Sequence, residues 1–270
     1  MRARTLNRKF NTKVYTQTNT ESVLRQVTNI VLFASVITVN ALANILPING
    51  VTTGDLSDAF PSLFTPAGYV FSIWALIYSL LIGFVIYQAR PSTKRNITLM
   101  RLGYVFALNC LFNIAWVFAW HYQAVVLSHV FMLGILATLI FCYERIHHTR
   151  RLSNGEYFAI KLPFSIYLGW ITVATVASTA VTLLQLGVTG GSFAPVITAL
   201  VIAAATIIGL LVLGNRQDGA FVMVLIWAFA GIAVKQWGSV QMVAIAALVA
   251  IVILVLAFLG NARFRSSYDY

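Results

Sequence analysis

The stretch TPAGYVFSIWALIYSLLIGFVIYQ, residues 65–88, is long and apolar enough to cross a lipid bilayer. Within it, Phe71, Trp74 and Tyr78 follow one another at steps of three and four residues. An α-helix places residues with this spacing on one side. The stretch therefore predicts a transmembrane helix, and it raises the question of what the aromatic stripe contacts.

The composition of the whole chain is that of a membrane protein. Of its 270 residues, 60% are hydrophobic and 9% are charged, and the mean hydropathy is +0.85. A soluble domain of this size could not cover so much apolar surface. We therefore expect an all-α integral membrane protein that crosses the bilayer several times.

Apolar runs of about 20 residues predict eight membrane spans. They cover residues 27–46, 67–88, 102–120, 124–143, 162–184, 194–213, 219–234 and 240–260. Residues 121–123 alone separate the third span from the fourth, which predicts a tight helical hairpin. The first span follows a basic leader, but its length and the seven later spans indicate a retained helix and not a cleaved signal.

The basic residues fall on one side of these spans. If the amino terminus is inside, Lys235 is the single one of the 18 Lys and Arg residues that lies outside. Because cytoplasmic loops carry the excess of basic residues, we expect both termini in the cytoplasm. The membrane that we expect the protein to span is the plasma (inner) membrane. The net charge of +11 then faces anionic membrane lipids, and no nucleic-acid partner is implied.

Ionisable side chains are scarce in the predicted spans. All seven Asp and Glu residues fall outside them, which disfavours an ion-coupled pump and an intramembrane aspartyl protease. Lys161 and Lys235 lie at span ends, which disfavours a retinal pigment. His129 has no second ligand with which to hold a haem iron, and His147 and His148 are interpreted as solvated loop residues.

Amide and aromatic side chains occupy the spans instead. One face of the third span and one face of the fifth carry most of them: Asn109, Asn113, Trp116 and Trp120, then Tyr167, Trp170, Ala174, Ser178 and Thr182. For a single stripe, an interfacial belt or hydrogen bonding between helices is the simpler interpretation. Because Trp74 and Trp170 lie several residues inside their spans, the three stripes together suggest a shared aromatic cavity.

These stripes resemble the TspO/MBR family, the tryptophan-rich sensory proteins related to the translocator protein. YVFSIWALIY (69–78) is similar to the family's F-x-x-W-x-x-L-Y, and FNIAWVFAW (112–120) to L-N-x-x-W followed by an aromatic residue. YLGWITVATVAS (167–178) is similar to Y-x-x-W-x-x-x-A-T, although Ser178 stands where the family usually has Asn. The resemblance covers roughly residues 25–185.

The resemblance, which implies a five-helix bundle, and the remaining predicted spans together give the expected arrangement of the chain. We expect a basic cytoplasmic leader over 1–26, a five-helix transmembrane bundle over 27–185, three additional transmembrane helices over 186–262 and a short cytoplasmic tail over 263–270. The additional helices are rich in Ala and Gly, which allows close helix contact, so we expect them to form a packing or partner surface. A homo-oligomer is compatible with this expectation.

The resemblance also implies ligands, namely porphyrins, haem and related tetrapyrroles, or sterol-like lipids. Aromatic rings would stack on such flat molecules, and an amide would fix their orientation. The residues expected to line the site are Phe71, Trp74, Tyr78, Asn113, Trp116, Trp120, Tyr167, Trp170 and Ala174. No catalytic residue, metal ligand or obligatory cofactor is predicted. The loop from Pro47 to Thr65 is expected over the mouth of the cavity, either as a lid or as an ordinary connection.

Three functions are compatible with these stripes and the resemblance. The first is a membrane receptor that binds a hydrophobic planar ligand and senses or traffics it. The second is a transporter that moves a lipid-like or uncharged solute without ion coupling. The third is an enzyme acting on a bound tetrapyrrole, although no nucleophile with a partnered base appears within the spans.

Overall fold

The computed structural model describes the backbone of residues 2–46, 48–60, 62–148 and 152–268, and these ranges contain helices and no strand. Side chains are described from residue 20 to residue 261 of the same ranges. The helices are α1 (Arg2–Ile45), α2 (Thr53–Asp58), α3 (Ile73–Ala89), α4 (Ile97–Leu102), α5 (Val105–His121), α6 (Val125–His147), α7 (Asn154–Gln185), α8 (Ala194–Arg216), α9 (Gly219–Gln236) and α10 (Gln241–Tyr268). The prediction of an all-α membrane protein is confirmed.

The eight predicted spans are all helical. Seven helices in the described part of the chain are long and apolar enough to cross a membrane, and α5 is an eighth, shorter apolar helix of 17 residues. At 1.5 Å per residue, α5 rises only about 25 Å, slightly less than the hydrocarbon core. The predicted hairpin between α5 and α6 is present, with Gln123 at a positive φ of 55° in its turn.

Several helix boundaries differ from the sequence predictions, and those next to the third, fourth and fifth spans change the position of charged residues or of a turn. The third span begins at Val105 and not at Leu102, because Gly103 ends α4 with a φ of 57° that favours glycine. Helix α6 continues to His147, so Glu144 lies in its last turn, and Glu156 lies in the first turn of α7. The expectation that every acidic residue falls outside the spans is therefore wrong for these two and for Glu21, which lies at the start of the first span, Thr20–Ile45. All three lie near span ends.

Helix α7 contains a π-helical turn, Tyr157–Lys161, directly before Pro163. Proline has no N–H group, and its ring would clash with the carbonyl four residues earlier in a regular α-helix. A wider turn at this point lets the helix continue through the proline. Residues 163–171, in the middle of α7, are all buried and carry Tyr167 and Trp170 in the core.

An aromatic cluster fills one half of the bundle. Phe84 of α3, Phe106 of α5 and Phe164 of α7 meet edge to face, with ring centroids 5.0, 5.0 and 5.8 Å apart. Each such pair contributes about 0.5–1.5 kcal/mol beyond the burial of its area. The tryptophans of α3, α5 and α7 lie in the other half, where α3 begins and α5 ends.

The additional helices are part of the core. Helix α9 packs between α7 and the pair formed by α8 and α10. In the apolar stretches of α7 and α9, 56% of the residues are buried inside the protein. The corresponding share in α8 and in α10 is 28%. Helix α9 thus contacts both the other two additional helices and α7.

Candidate functional site

The chain enters α3 through a 3₁₀ turn, Gly68–Ser72, which we call the entrance turn. Pro66 and the extended backbone of Ala67 precede it. The turn carries Phe71 onto the edge of Trp170, with ring centroids 5.7 Å apart and planes at 86°. Phe71 therefore belongs to the aromatic stripe, although it lies before the regular α-helix begins.

Trp74 is at the centre of the aromatic residues. Its ring stacks on Tyr78 at 5.3 Å and meets Tyr167 and Trp170 edge-on at 6.0 and 6.3 Å. Trp116 and Trp120 of α5 stack on one another at 6.2 Å with nearly parallel planes. The stripes of α3, α5 and α7 thus meet, as the sequence suggested.

Two cavities share a wall made by Phe71, Trp74 and Trp116. The first, about 80 Å³, extends along α7 and is called the α7 cavity. The second, about 470 Å³, lies against α1 and is called the α1 cavity. Its size falls within the usual range for small-molecule sites, about 300–1,000 Å³.

The predicted site residues divide into two groups. Seven line the cavities: the three shared-wall residues, then Tyr78 at the α1 cavity and Trp120, Trp170 and Ala174 at the α7 cavity. Asn113 and Tyr167 line neither cavity. Asn113 donates from Nδ2 to the Tyr167 hydroxyl at 3.2 Å and accepts at Oδ1 from Asn40 Nδ2 at 2.9 Å. The structure thus places this amide behind the wall, where it joins α1, α5 and α7.

Four donors around the cavities have no acceptor. They are the Tyr78 hydroxyl and the indole N–H groups of Trp116, Trp120 and Trp170, all of them buried. A buried polar group without a hydrogen bond costs about 1–3 kcal/mol. The aromatic walls therefore combine apolar faces with hydrogen-bonding capacity that the protein itself leaves unused.

The loop before the entrance turn covers the cavities. Thr53 lines both of them, Ser57 and Thr65 line the α7 cavity, and Asp58 lines the α1 cavity. The Thr53 hydroxyl lies 3.3 Å from His121 Nε2 at the end of α5. We call the segments 48–60 and 62–65 the lid, and this contact docks the lid on the bundle. Pro47 and Pro61, which also belong to the predicted loop, lie outside the described residues.

Helix α2 of the lid is stabilised by its own cap. The Thr52 hydroxyl accepts from the Asp55 N–H at 3.2 Å, and the Asp55 carboxylate accepts from the Thr52 hydroxyl and N–H at 2.7 and 3.1 Å. This reciprocal capping box satisfies donors at the start of the helix. The hydrogen bonds from Thr52 also hold the pKa of Asp55 below its usual value.

A comparison with protein families identifies the chain. A family model described as TSPO-like protein matches residues 26–260. This chain belongs to the TSPO-like family. Comparisons with curated proteins and with solved structures gave no match. The matched range includes α8 and α9 and most of α10, which the resemblance of the sequence motifs did not reach.

Membership in the TSPO-like family establishes the general class of the protein. The chain is an integral, multi-pass membrane protein whose outward-facing helices contact lipid. In general terms it is a ligand-binding or sensory membrane protein.

Several cavity residues of this TSPO-like chain were not predicted. Val173, Ala177 and Val181 extend the stripe of α7, and Met132 reaches the α7 cavity from α6. The α7 residues follow Trp170 at steps of three and four, so their spacing could have revealed them. Met132 and the hydroxyl residues of the lid follow no such pattern.

The histidine considered as a haem ligand has a hydrogen-bond partner in the TSPO-like bundle. His129 Nδ1 lies 3.0 Å from the Ser178 hydroxyl, and Ser178 itself lines the α7 cavity. His148 lies 3.7 Å from Glu144 at the other side of the protein. Among the described residues, no group of three or more His, Cys, Asp or Glu side chains forms a candidate metal site.

Proposed function

We propose that this TSPO-like chain is a membrane receptor for hydrophobic planar ligands, either tetrapyrroles such as porphyrins or sterol-like lipids, and that it senses or traffics them. The observation that carries the proposal is the set of four buried donors without acceptors around an aromatic wall. A flat ligand can stack on the ring faces that line the cavities, and small rotations of these rings would bring the donors to acceptors at its edge.

A tetrapyrrole fits this combination better than a sterol. Its ring presents two apolar faces, and its carboxylate side chains present acceptors to Tyr78 and to the indole N–H groups. A sterol has a flat apolar body but a single hydroxyl, which leaves most of these donors unpartnered. Each stacked ring pair contributes about 0.5–1.5 kcal/mol, so several together support useful affinity.

Binding in this proposal does not depend on an iron ligand. His129 interacts with Ser178 and lies outside the lining of both cavities. Metal-free protoporphyrin IX is therefore the suitable probe, and haem would bind through the same ring contacts.

The test is a titration of the purified protein with protoporphyrin IX, followed by quenching of tryptophan fluorescence. The triple variant Trp74→Ala, Trp116→Ala, Trp170→Ala should lose saturable quenching. Trp237→Ala is the matched control, because Trp237 is exposed and lines neither cavity. Undiminished affinity in a folded triple variant would refute the proposal. Ligand flux into sealed vesicles would distinguish transport from binding alone.

We also propose that both termini face the cytoplasm below a plasma membrane, with the lid on the opposite side. The distribution of Lys and Arg supports this orientation. A cysteine at Gly238, between α9 and α10, should react with an impermeant maleimide in intact cells. A cysteine at Ser92, between α3 and α4, should react only after the membrane is opened; both positions are exposed. The reverse pattern would contradict the orientation.

A further inference from the structure

One side of α9 contacts the chain that leads from the lid into α3. Four contacts form this line: Lys235 Nζ to Asp58 Oδ1 at 3.6 Å, Gln236 Nε2 to the Leu63 carbonyl at 3.1 Å, the Ala67 N–H to the Gly231 carbonyl at 3.2 Å, and Trp227 Nε1 to the Val70 carbonyl at 3.0 Å. Residues about four positions apart lie on one face of a helix. The described residues 58–60 and 62–70 therefore run alongside α9 in the opposite direction.

This segment also carries part of the ligand site. Asp58 lines the α1 cavity, Thr65 and Pro66 line the α7 cavity, and Phe71 directly after the segment lines both. All of these residues lie between or beside the points where α9 contacts the chain. A displacement of the segment from α9 would therefore change the walls of both cavities.

The two ends of this contact line differ in strength. At the entrance turn, α9 approaches so closely that a Cβ atom on Gly231 would lie 2.1 Å from Val70 Cγ2. Val70 and Gly231 are both buried there. At the lid, the ion pair joins Lys235, whose side chain is 31% exposed, to Asp58, whose side chain is 69% exposed. Exposed ion pairs contribute little to stability, so the lid end is the one that can release.

We propose that α9 positions the lid and the entrance turn over the ligand cavities, and that Lys235 is a positioning residue whose ion pair with Asp58 controls opening of the lid. The inference rests on the proposed function, and it assigns part of the ligand site to the additional helices. Loss of the ion pair weakens the lid end, where the contacts of Gln236 with Leu63 and of Thr53 with His121 remain. The contacts of Gly231 and Trp227 keep the entrance turn in place. Ligand then enters and leaves faster.

The first measurement of lid opening uses no ligand. A cysteine at Leu56, which is 4% exposed and lies in one buried cluster with Trp120, reports opening by its rate of reaction with a maleimide. The native Cys110 and Cys142 are 2% and 0% exposed and give little background. Lys235→Glu and Asp58→Lys should each raise the reaction rate by up to about five-fold, the range expected for an exposed ion pair.

The double variant Asp58→Lys, Lys235→Glu restores the ion pair with reversed charges, and the reaction rate should return toward that of the wild type. Arg216→Glu is the matched control, because it removes a similar ion pair, with Glu144, at the other end of the additional helices. The rate should not change in this control. A rate that is unchanged in Lys235→Glu, or that the double variant does not restore, would overturn the inference.

The second measurement follows protoporphyrin IX binding by stopped-flow tryptophan quenching. In Lys235→Glu, the association and dissociation rates should rise together, by up to about five-fold, while the Kd changes little. A residue with only a structural role would lower affinity without this matched rise. If the wild type binds no protoporphyrin while the thiol rates follow the predicted pattern, the proposed ligand is wrong and the positioning role of α9 stands.

Discussion

Two tyrosines that contact the ring of Trp74 differ in how their hydroxyl groups are used. The Tyr78 hydroxyl is buried without a partner, whereas the Tyr167 hydroxyl accepts a hydrogen bond from Asn113. The sequence assigned both residues to the site from their spacing. Only the second is committed to holding the helices together.

This difference predicts opposite effects of the same substitution. Tyr78→Phe should leave the free energy of unfolding without ligand unchanged or raise it by about 1 kcal/mol, because it removes an unsatisfied group. It should weaken protoporphyrin IX binding about ten-fold. Tyr167→Phe should lower the free energy of unfolding by about 1–3 kcal/mol, because it leaves the buried Asn113 amide without its acceptor.

Unfolding in SDS and the fluorescence titration measure the two effects. Equal destabilisation by both substitutions, with unchanged affinity in Tyr78→Phe, would show that the Tyr78 hydroxyl does not face a ligand. Asn113 depends on the tertiary structure in the same way. The sequence showed that Asn113 lies in the stripe of α5. Its hydrogen-bond partners, Asn40 and Tyr167, depend on the packing of α1 and α7 against α5.

At the scale of helices, the packing of α9 on the entrance turn depends on Gly231. Gly231→Ala should destabilise the protein by about 1–3 kcal/mol, since the added methyl group cannot fit against Val70. Gly83→Ala in α3 is the matched control, because nothing lies within 4 Å of its added Cβ. That change should be neutral or slightly stabilising.

Thermal unfolding in detergent micelles measures the difference between these variants. Similar unfolding temperatures for Gly231→Ala and Gly83→Ala would contradict the close contact. The sequence predicted α3 and α9 as spans, because their apolar length is a local property. It did not predict their pairing, since Gly231 carries no side chain and Val70 is one of many apolar residues.

For the whole molecule, a buried carboxylate joins the additional helices to the five-helix bundle. Asp218 caps α9 by accepting from the Phe221 N–H at 3.2 Å, and it accepts from the hydroxyls of Tyr143 and Ser165 at 2.9 and 2.5 Å. These two hydroxyls belong to α6 and α7. Asp218, which the sequence placed between two spans, therefore lies in the interior of the protein and is only 3% exposed.

Asp218→Ala should destabilise the protein by about 3 kcal/mol or more, because it leaves three donors without their acceptor. Arg216→Ala should cost about 1 kcal/mol or less, because its ion pair with Glu144 is about one-third exposed. Unfolding in SDS provides the comparison. Equal losses in the two variants would mean that Asp218 does not join the two groups of helices.

The sequence by itself determined the apolar helices, the helical class and the three aromatic stripes, because hydropathy and spacing act over one or two turns of a single helix. Only the tertiary structure decided which stripe residues face a cavity, which lie behind its wall, and that α9 holds the entrance to the site. Those outcomes depend on contacts between residues far apart in the chain, such as Lys235 with Asp58 and Trp227 with Val70. Apolar composition in a membrane protein does not specify such pairings, since lipid-facing and buried residues are equally hydrophobic.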